Sequence, residues 1–494
     1  MTVRRSAGCD RSGHGQRRSP GGRAPGAHLR DRMRLPAQLS ALMFVLACGA
    51  PERSSPDGWA ELRPPTAFDR SEAPNVVEFD LVAAPHRWTF APDRSIDGYA
   101  YNGSVPGPTI EAHVGDTVVV HFRNDLPEPT TIHWHGVRVP VEMDGAPHSQ
   151  DPVPPGGTFE YRFVVEDEGT FWYHPHANEP EQMERGLYGA IIVRGDDEPE
   201  VDAESLVVLD DLLLDATGAL VPFDGILEVH GGREGDVQLV NGVLSPTVAV
   251  RAGERQRWRI VNAGSARIYR IALDGHTFTV LGSDGGPWRA PAPANELFLA
   301  PGDRMDVLVD VGVAPGETRA LVAQPYERGH GQGVFAPIDV FTLAASPDAA
   351  LPALPSYAGG RVIEPLDVAG LSPREITFDE ELSGTAVTFF VNGETYPDVT
   401  PVPAGVGEVQ VWDLVNLSGM AHPFHLHGFF FQIVERDGVA VSEPTWEDTF
   451  ELRGEERVRI AFRPDDRPGL WMFHCHILEH VHGGMMGILD VTRR

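Results

Sequence analysis

Eight histidines come in four pairs at a spacing of two: His133/His135, His174/His176, His425/His427 and His474/His476. Between the last two stands Cys475, and the chain continues through His480 to Met485. Alternate side chains of a strand face opposite ways, so Cys475 points one way while His474 and His476 point the other. On the cysteine side, His480 follows five residues on, Met485 ten residues on, and His422 waits on an earlier strand. Two imidazoles, a thiolate and a weak thioether make a blue-copper electron-transfer site. Zinc is the competing ion, but a structural zinc site rarely spends a ligand on methionine. On the opposite face each histidine pair presents two imidazoles from one face of a strand. Eight imidazoles exceed what one metal holds, so two or three metals are implied there. A strand that touches both sites back to back would carry an electron from the cysteine-bound copper to the cluster through a few covalent bonds. One copper plus a cluster of three stores four electrons, which is the number that reduction of dioxygen to water requires. His113, His121, His148, His276, His330 and the other remaining histidines read as ordinary surface or core residues.

The elements that must position these ligands repeat. Residues 105–124 read VPGPTIEAHVGDTVVVHFRN, 243–262 read VLSPTVAVRAGERQRWRIVN, and 395–416 read TYPDVTPVPAGVGEVQVWDLVN. Each copy has a proline near its start, a short strand, a glycine at a turn and a strand ending in asparagine. The pattern predicts three copies of a small antiparallel β domain. Eighteen residues after the turn glycine stand His133 and His425 in the outer copies, but Ile271 in the middle one. The middle copy builds the same strand without histidine, so the fold itself does not require the histidines. A second alignment sets GTFWYHPHANEPEQMERGLYGAIIV (169–193) against GLWMFHCHILEHVHGGMMGILDV (469–491). His174 and His176 fall on His474 and His476, whereas Pro175, Pro180 and Arg185 fall on Cys475, His480 and Met485. One site therefore belongs to the third copy alone, and another is shared between the first and third.

Composition bounds the rest. The 494 residues suffice for about three ordinary domains, and 53 glycines with 43 prolines favour an all-β chain rich in turns. A formal charge of −31 argues against nucleic acid and against an anionic membrane surface as partners. Residues 1–32 lack apolar periodicity and are expected to be disordered. From Met33, a basic residue, the apolar run Leu35–Ala47 and Cys48 read as a signal peptide. VLAC at its end resembles a lipobox, with Cys48 as the lipidated residue and Met33 as the true start; ordinary cleavage just beyond is the alternative. The run is too short to span a membrane. The organisation expected is 1–48 extension and signal peptide, 49–74 linker, 75–196 first domain, 197–348 second domain without ligands, and 349–494 third domain. The exported part then keeps one cysteine, Cys475. A lone cysteine between histidines in an oxidising compartment reads as a ligand rather than half of a disulfide.

The segments HWHG, HPH, HPFHLHG and HCHILEHVHGGM resemble the four copper-binding signatures of the three-domain multicopper oxidases, the laccase-like enzymes, and LAPGDRMDVLVD (299–310) is similar to a middle-domain segment of bacterial members. The resemblance covers about residues 75–494 and implies three consecutive cupredoxin-like Greek-key β-barrels holding four coppers. It makes His422, Cys475, His480 and Met485 the type 1 ligands, and His133 and His425 the type 2 ligands. His135, His174 and His476 would hold one type 3 copper, and His176, His427 and His474 the other. Asp144 matches the family's carboxylate near the type 2 copper; its bland reading is a turn residue before Gly145. The glutamate that bacterial relatives often carry after the second type 1 histidine is replaced by Val481, so either Glu479, His482 or water relays protons or the rate of oxygen reduction is altered. An axial Met485 resembles the lower-potential members. Loops such as 356–375 and 435–450 are expected to shape the type 1 pocket; Trp446, Glu447 and Asp448 are near enough in sequence to contribute, but a plain core and hydrogen-bonding role is the favoured reading for these three. The function implied is one-electron oxidation of phenols or aromatic amines with dioxygen as acceptor, in the periplasm, on the outer membrane or outside the cell. Oxidation of cuprous or other metal ions is the alternative, disfavoured by the lack of a methionine cluster beyond 485–486. A copper-free structural relative is disfavoured by the complete ligand set, and a two-domain nitrite reductase by the third repeat. One chain contains the whole cluster, so a monomer suffices.

Overall fold

The computed structural model describes residues 62–333, 335–384 and 386–493. The segment that carries the leader-like run, Cys9 and Cys48 lies outside the described residues, and so do those expectations. No described helix is long and apolar enough to cross a membrane. The described chain is almost entirely strand and turn, arranged as three successive cupredoxin-like barrels of two facing sheets each. The first pairs two four-stranded sheets drawn from 76–194, the second a seven- and a five-stranded sheet from 203–345, and the third a six- and a five-stranded sheet from 374–492. Alternating side chains of the facing sheets fill three separate apolar cores, one per barrel, around residues such as Trp134, Trp258 and Trp412.

The internal repeat has a physical basis that the three copies share. The turn glycines Gly115, Gly253 and Gly407 all hold a positive φ, 93°, 78° and 77°, which a side chain would strain. The strand-ending asparagines Asn124, Asn262 and Asn416 are buried and work identically. Each side-chain oxygen accepts the backbone N–H two residues on, from Leu126, Gly264 and Ser418. Each side-chain nitrogen donates to two or more carbonyls across the barrel: Glu128 and Val153, Arg267 and Leu299, and Met420, Leu452 and Arg453. One asparagine per domain thus ties down a loop whose backbone would otherwise be buried without partners.

The barrels are not purely antiparallel, as the alternation had suggested. In every copy the opening strand runs parallel to the strand that ends in the repeated asparagine: Val76–Ala91 beside Thr117–Asn124, Ala203–Leu212 beside Arg255–Asn262, and Arg374–Ser383 beside Gln410–Asn416. The facing sheets carry one parallel pair each as well. Connections that cross from one sheet to the other return the chain in the same direction. Side-chain alternation is blind to this, because it reports which face a residue takes and not which way its neighbour runs.

Candidate metal centre

The histidine pairs of the outer barrels sit on equivalent antiparallel strand pairs. Strand His133–His135 runs against Gly169–His174 with His133 opposite His174, and His422–Leu426 runs against Gly469–Cys475 with His425 opposite His474. Only the first pair lies wholly within a strand. His176, His427 and His476 fall just past the ends of theirs, so each of those pairs straddles a strand end rather than sharing a strand face. In the middle barrel Ile271 occupies the corresponding strand and is fully buried in its core.

The eight imidazoles converge between the first and third barrels and are all buried. They obey an approximate twofold relation that exchanges 133 with 425, 135 with 427, 174 with 474 and 176 with 476. His133 stacks on His427 at 3.9 Å and its mate His135 on His425 at 3.8 Å. The set His135, His174 and His476 has ring centroids 5.0–5.7 Å apart, and its mate His427, His474 and His176 has 5.0–5.2 Å. His133 and His425 face each other across the axis at 5.7 Å.

Six of the eight rings have one nitrogen tied down by a hydrogen bond and the other turned inward. His133 Nδ1 donates to Asp144 O (2.9 Å), His174 Nδ1 to Pro175 O (2.9 Å), His425 Nδ1 to Asp448 O (2.9 Å) and His474 Nδ1 to Cys475 O (2.8 Å). His427 Nδ1 donates to Asp144 Oδ2 at 2.9 Å, and His135 Nε2 to Asp448 Oδ1 at 3.0 Å. The opposite nitrogens of His133, His135, His174 and His425, Nε2 of His176 and both ring nitrogens of His476 are buried with no hydrogen-bond partner among the described residues. Orphaned buried nitrogens are costly. His427 Nε2 and His474 Nε2, two acceptors once their Nδ1 atoms have donated, face each other at 3.1 Å. A cation between them removes the conflict, and outer hydrogen bonds that fix the tautomer are the usual support of metal-binding imidazoles. Burial holds His135, His174, His427, His474 and His476 well below the ordinary imidazole range, so they are neutral and can donate lone pairs.

On the other face of Gly469–Cys475, Cys475 Sγ lies 3.7 Å from His422 Nδ1 and 3.6 Å from His480 Nδ1, and the two nitrogens are 3.2 Å apart. The remote nitrogens are again held: His422 Nε2 by Ser418 Oγ at 2.8 Å, and His480 Nε2 by His230 O at 3.0 Å. Met485 is buried beside them, its carbonyl accepting from Cys475 N and its N–H donating to His480 O. Burial lowers His422 to about 3 and pushes the Cys475 thiol up, so a thiolate there needs a cation. These residues fit the copper expected of them, with the donor set of a blue-copper centre.

Asp144 is no mere turn residue: it is buried, and its carboxylate reaches both His427 and His133, the latter at 3.3 Å. Glu479, expected among the proton carriers, turns away from the cluster to the second barrel, where its Oε2 accepts Arg233 N at 3.3 Å; burial raises its carboxyl to about 8. Val481 packs in a small apolar cluster with Ala146, Met472 and Met486. His482, the other candidate, faces Glu179 Oε2 at 3.6 Å, while Glu179 Oε1 lies 2.8 Å from His176 Nδ1. Sequence reasoning missed Glu179, although aligning HPHANE on HCHILE sets it on Glu479. Trp446, Glu447 and Asp448 take core and hydrogen-bonding roles: the Trp446 carbonyl accepts from Gly285 N. Asp448 lies against His135 and His425 of the cluster, and Glu447 bonds Ser283 of the second barrel. Asp448 is buried; burial would raise its carboxyl, but the Arg304 guanidinium and His425 hold it well below the usual range. Arg304 also donates to Thr170 O and pairs with Asp284, so one side chain joins all three barrels behind the cluster. It lies in the segment 299–310, whose Gly302 has φ +94° and would push a Cβ to within 3.1 Å of His135 and His476.

Family models described as multicopper oxidase match residues 84–198, 201–334 and 371–494. A multicopper oxidase of Mycobacterium tuberculosis is 33% identical over 79% of this chain and 82% of its own. A multicopper oxidase structure from Campylobacter jejuni, described as a metallo-oxidase, superposes with TM-score 0.75 at 28% identity over 88% of this chain and 96% of that one. A laccase-like multicopper oxidase from Ochrobactrum, with oxidase activity towards lignin model compounds, superposes with TM-score 0.75 at 26% identity over 88% of this chain and 100% of that one.

Proposed function

The chain belongs to the multicopper oxidases, and from that premise we propose that it takes single electrons from phenolic or aromatic amine donors and uses them to reduce dioxygen to water. Membership makes it a copper-dependent oxidoreductase with oxygen as acceptor; the donor and the assignment of ligands are our reading. We assign His422, Cys475, His480 and Met485 to a type 1 copper and His133 and His425 to a type 2 copper. His135, His174 and His476 take one type 3 copper, and His176, His427 and His474 the other. Four ions so held supply one-electron uptake at the first and oxygen reduction at the other three.

The chain's own residues do the rest. Ser418 and His230 O fix the two type 1 imidazoles, and full burial of Cys475 keeps water from the thiolate. The covalent run His474–Cys475–His476 joins the two faces. Making two waters consumes four protons. The Asp144 carboxylate against His427 is one carrier, and His482 Nδ1, with a side chain 57% exposed, can pass protons from solvent to Glu179 Oε2 beside His176. The leader-like run ending at Cys48 supports an exported or lipid-anchored location, and a single chain completes the cluster.

The observation that carries this reading is the twofold set of eight imidazoles with open inner nitrogens, placed back to back with Cys475. Aromatic donors are supported by the laccase-like relative with oxidase activity towards lignin model compounds. Oxidation of a metal ion is the second reading, favoured by two further imidazoles: His230, whose carbonyl accepts from His480 Nε2, and His330, with its ring 5.1 Å from that of His230. The test is copper content and visible spectrum of the copper-loaded protein: four coppers per chain and an intense thiolate band are expected, and Cys475→Ser should remove the band and phenol turnover together. A parent that stays colourless with little copper after loading would overturn the reading.

A further inference from the structure

The approximate twofold that relates the eight imidazoles extends to two carboxylates. Asp144 of the first barrel accepts His133 Nδ1 at its backbone carbonyl (2.9 Å) and His427 Nδ1 at Oδ2 (2.9 Å). Asp448 of the third barrel accepts His425 Nδ1 at its carbonyl (2.9 Å) and His135 Nε2 at Oδ1 (3.0 Å). Backbone and side chain play the same parts on both sides, and the symmetry fails at one atom. His427 gives Nδ1 to its carboxylate and turns Nε2 inward. Its mate His135 gives Nε2 instead, and leaves Nδ1 buried without a partner among the described residues.

The second barrel reaches the His135 side. Arg304 Nη1 donates to Asp448 Oδ1 at 2.7 Å and Nη2 to Oδ2 at 2.5 Å. Among the described residues no arginine pairs with Asp144, which meets His133 and His427 instead. A guanidinium fork on both oxygens keeps Asp448 an anion that can only accept, so the hydrogen between it and His135 belongs to Nε2. The glycines that follow the two rings carry the same asymmetry. Gly136 and Gly428 both hold positive φ, +81° and +74°. A Cβ on Gly136 would run into Arg304 Nη2 and Asp448 Oδ2, whereas one on Gly428 would run into the Trp471 ring. The chain leaves room for an ion pair on one side of the twofold and for an indole on the other.

We propose that Arg304 is a positioning residue of the cluster: through Asp448 it holds His135 with its hydrogen on Nε2 and its Nδ1 lone pair turned inward. The second barrel, which supplies no ligand, thereby decides how one of two twofold-related metal sites is built. The inference rests on the assignment of His135, His174 and His476 to one type 3 copper. Without the fork, Asp448 no longer has a fixed orientation or a fixed charge, and His135 can place its hydrogen on Nδ1, where it blocks the ligand atom.

The test uses the full chain with its histidines labelled with nitrogen-15, first copper-free and then copper-loaded, as parent, Arg304→Met and Arg304→Lys. In the copper-free parent the His135 resonance, identified by its loss in His135→Gln, should carry its hydrogen on Nε2. Arg304→Met should show hydrogen on Nδ1 or exchange between the two forms. After loading, affinity for one copper should fall about 10–100-fold in Arg304→Met. The type 3 copper left behind, no longer spin-paired, should become visible by paramagnetic resonance while the blue band persists. Arg304→Lys keeps the charge but not the fork; it should fall between the other two, and it carries the test if Arg304→Met does not fold. Parental copper affinity with hydrogen on Nε2 in the variants, or hydrogen on Nδ1 in the copper-free parent, would overturn the proposal. Loss of the blue band together with the cluster would also overturn it, because Arg304 would then act on the fold as a whole. A parent that binds no copper fails the ligand assignment, and the copper-free comparison still decides what Arg304 does to His135.

Discussion

At the scale of single residues, six of the eight clustered imidazoles have their second nitrogen already committed to a hydrogen bond. His427 is the clearest case, with Nδ1 on Asp144 and Nε2 turned inward. Asp144→Asn keeps the shape but removes the charge that orients His427 and His133. The expected result is an unchanged blue band, because Cys475 lies on the opposite face, with oxygen uptake reduced about 10–100-fold. Parental oxygen uptake would show that the carboxylate has no part in the reaction, and a lost blue band would place it under control of the type 1 side. Glu179 and Glu479 carry a related lesson. They occupy equivalent positions in two copies of one motif, yet one faces a cluster histidine and the other faces Arg233 of the second barrel. A repeat preserves the backbone position of a residue, and what stands opposite it depends on the neighbouring domain.

At the scale of elements, the repeated glycine and asparagine were visible as letters, but their reason was not. Positive φ explains the glycines, and three or more loop hydrogen bonds explain each asparagine. Asn262→Ala in the barrel without copper ligands tests this apart from any metal. It orphans the Gly264 N–H and the carbonyls of Arg267 and Leu299, so a loss of about 3 kcal/mol is expected in denaturant unfolding. The thiolate band should persist; a loss below about 0.5 kcal/mol would mean that water replaces the side chain at little cost. The parallel strand pairs belong to the same scale. Hydrophobic alternation in segments such as 117–124 identified strands correctly, but it cannot report the direction of a partner that lies about forty residues earlier.

At the scale of the whole molecule, ionic groups between the first two barrels matter beside the histidine cluster. Arg257, Arg259 and Arg194 meet Asp306, Glu198 and Glu204 across the 194–204 connection. Burial alone would raise the Asp306 carboxyl, but Arg259 and Arg257 outweigh it and lower the pKa. A carboxylate whose folded value is depressed adds stability that is fully present above its unfolded value near 4 and is lost as pH falls below it. Asp306→Asn should therefore lower the unfolding temperature at pH 7, with the gap to the parent narrowing below about pH 4. A gap that stays constant down to pH 3 would mean that Asp306 acts by packing and not by charge.

What the sequence determined by itself was the chemistry: ligand types, their period of two, the back-to-back placement of Cys475, and the copy without histidine. Residue types and spacings are local, and strand alternation sets the faces of His133/His135 and turns His474 away from Cys475; for the three pairs that straddle a strand end, the chain beyond the strand brings the second imidazole round. Only the tertiary structure decided how His133 meets His427 across a twofold, that Arg304 locks Asp448 behind the cluster, and that Glu479 turns to Arg233 of the second barrel. Each of these joins residues from different barrels, and no spacing along one strand encodes the contact that a second domain supplies.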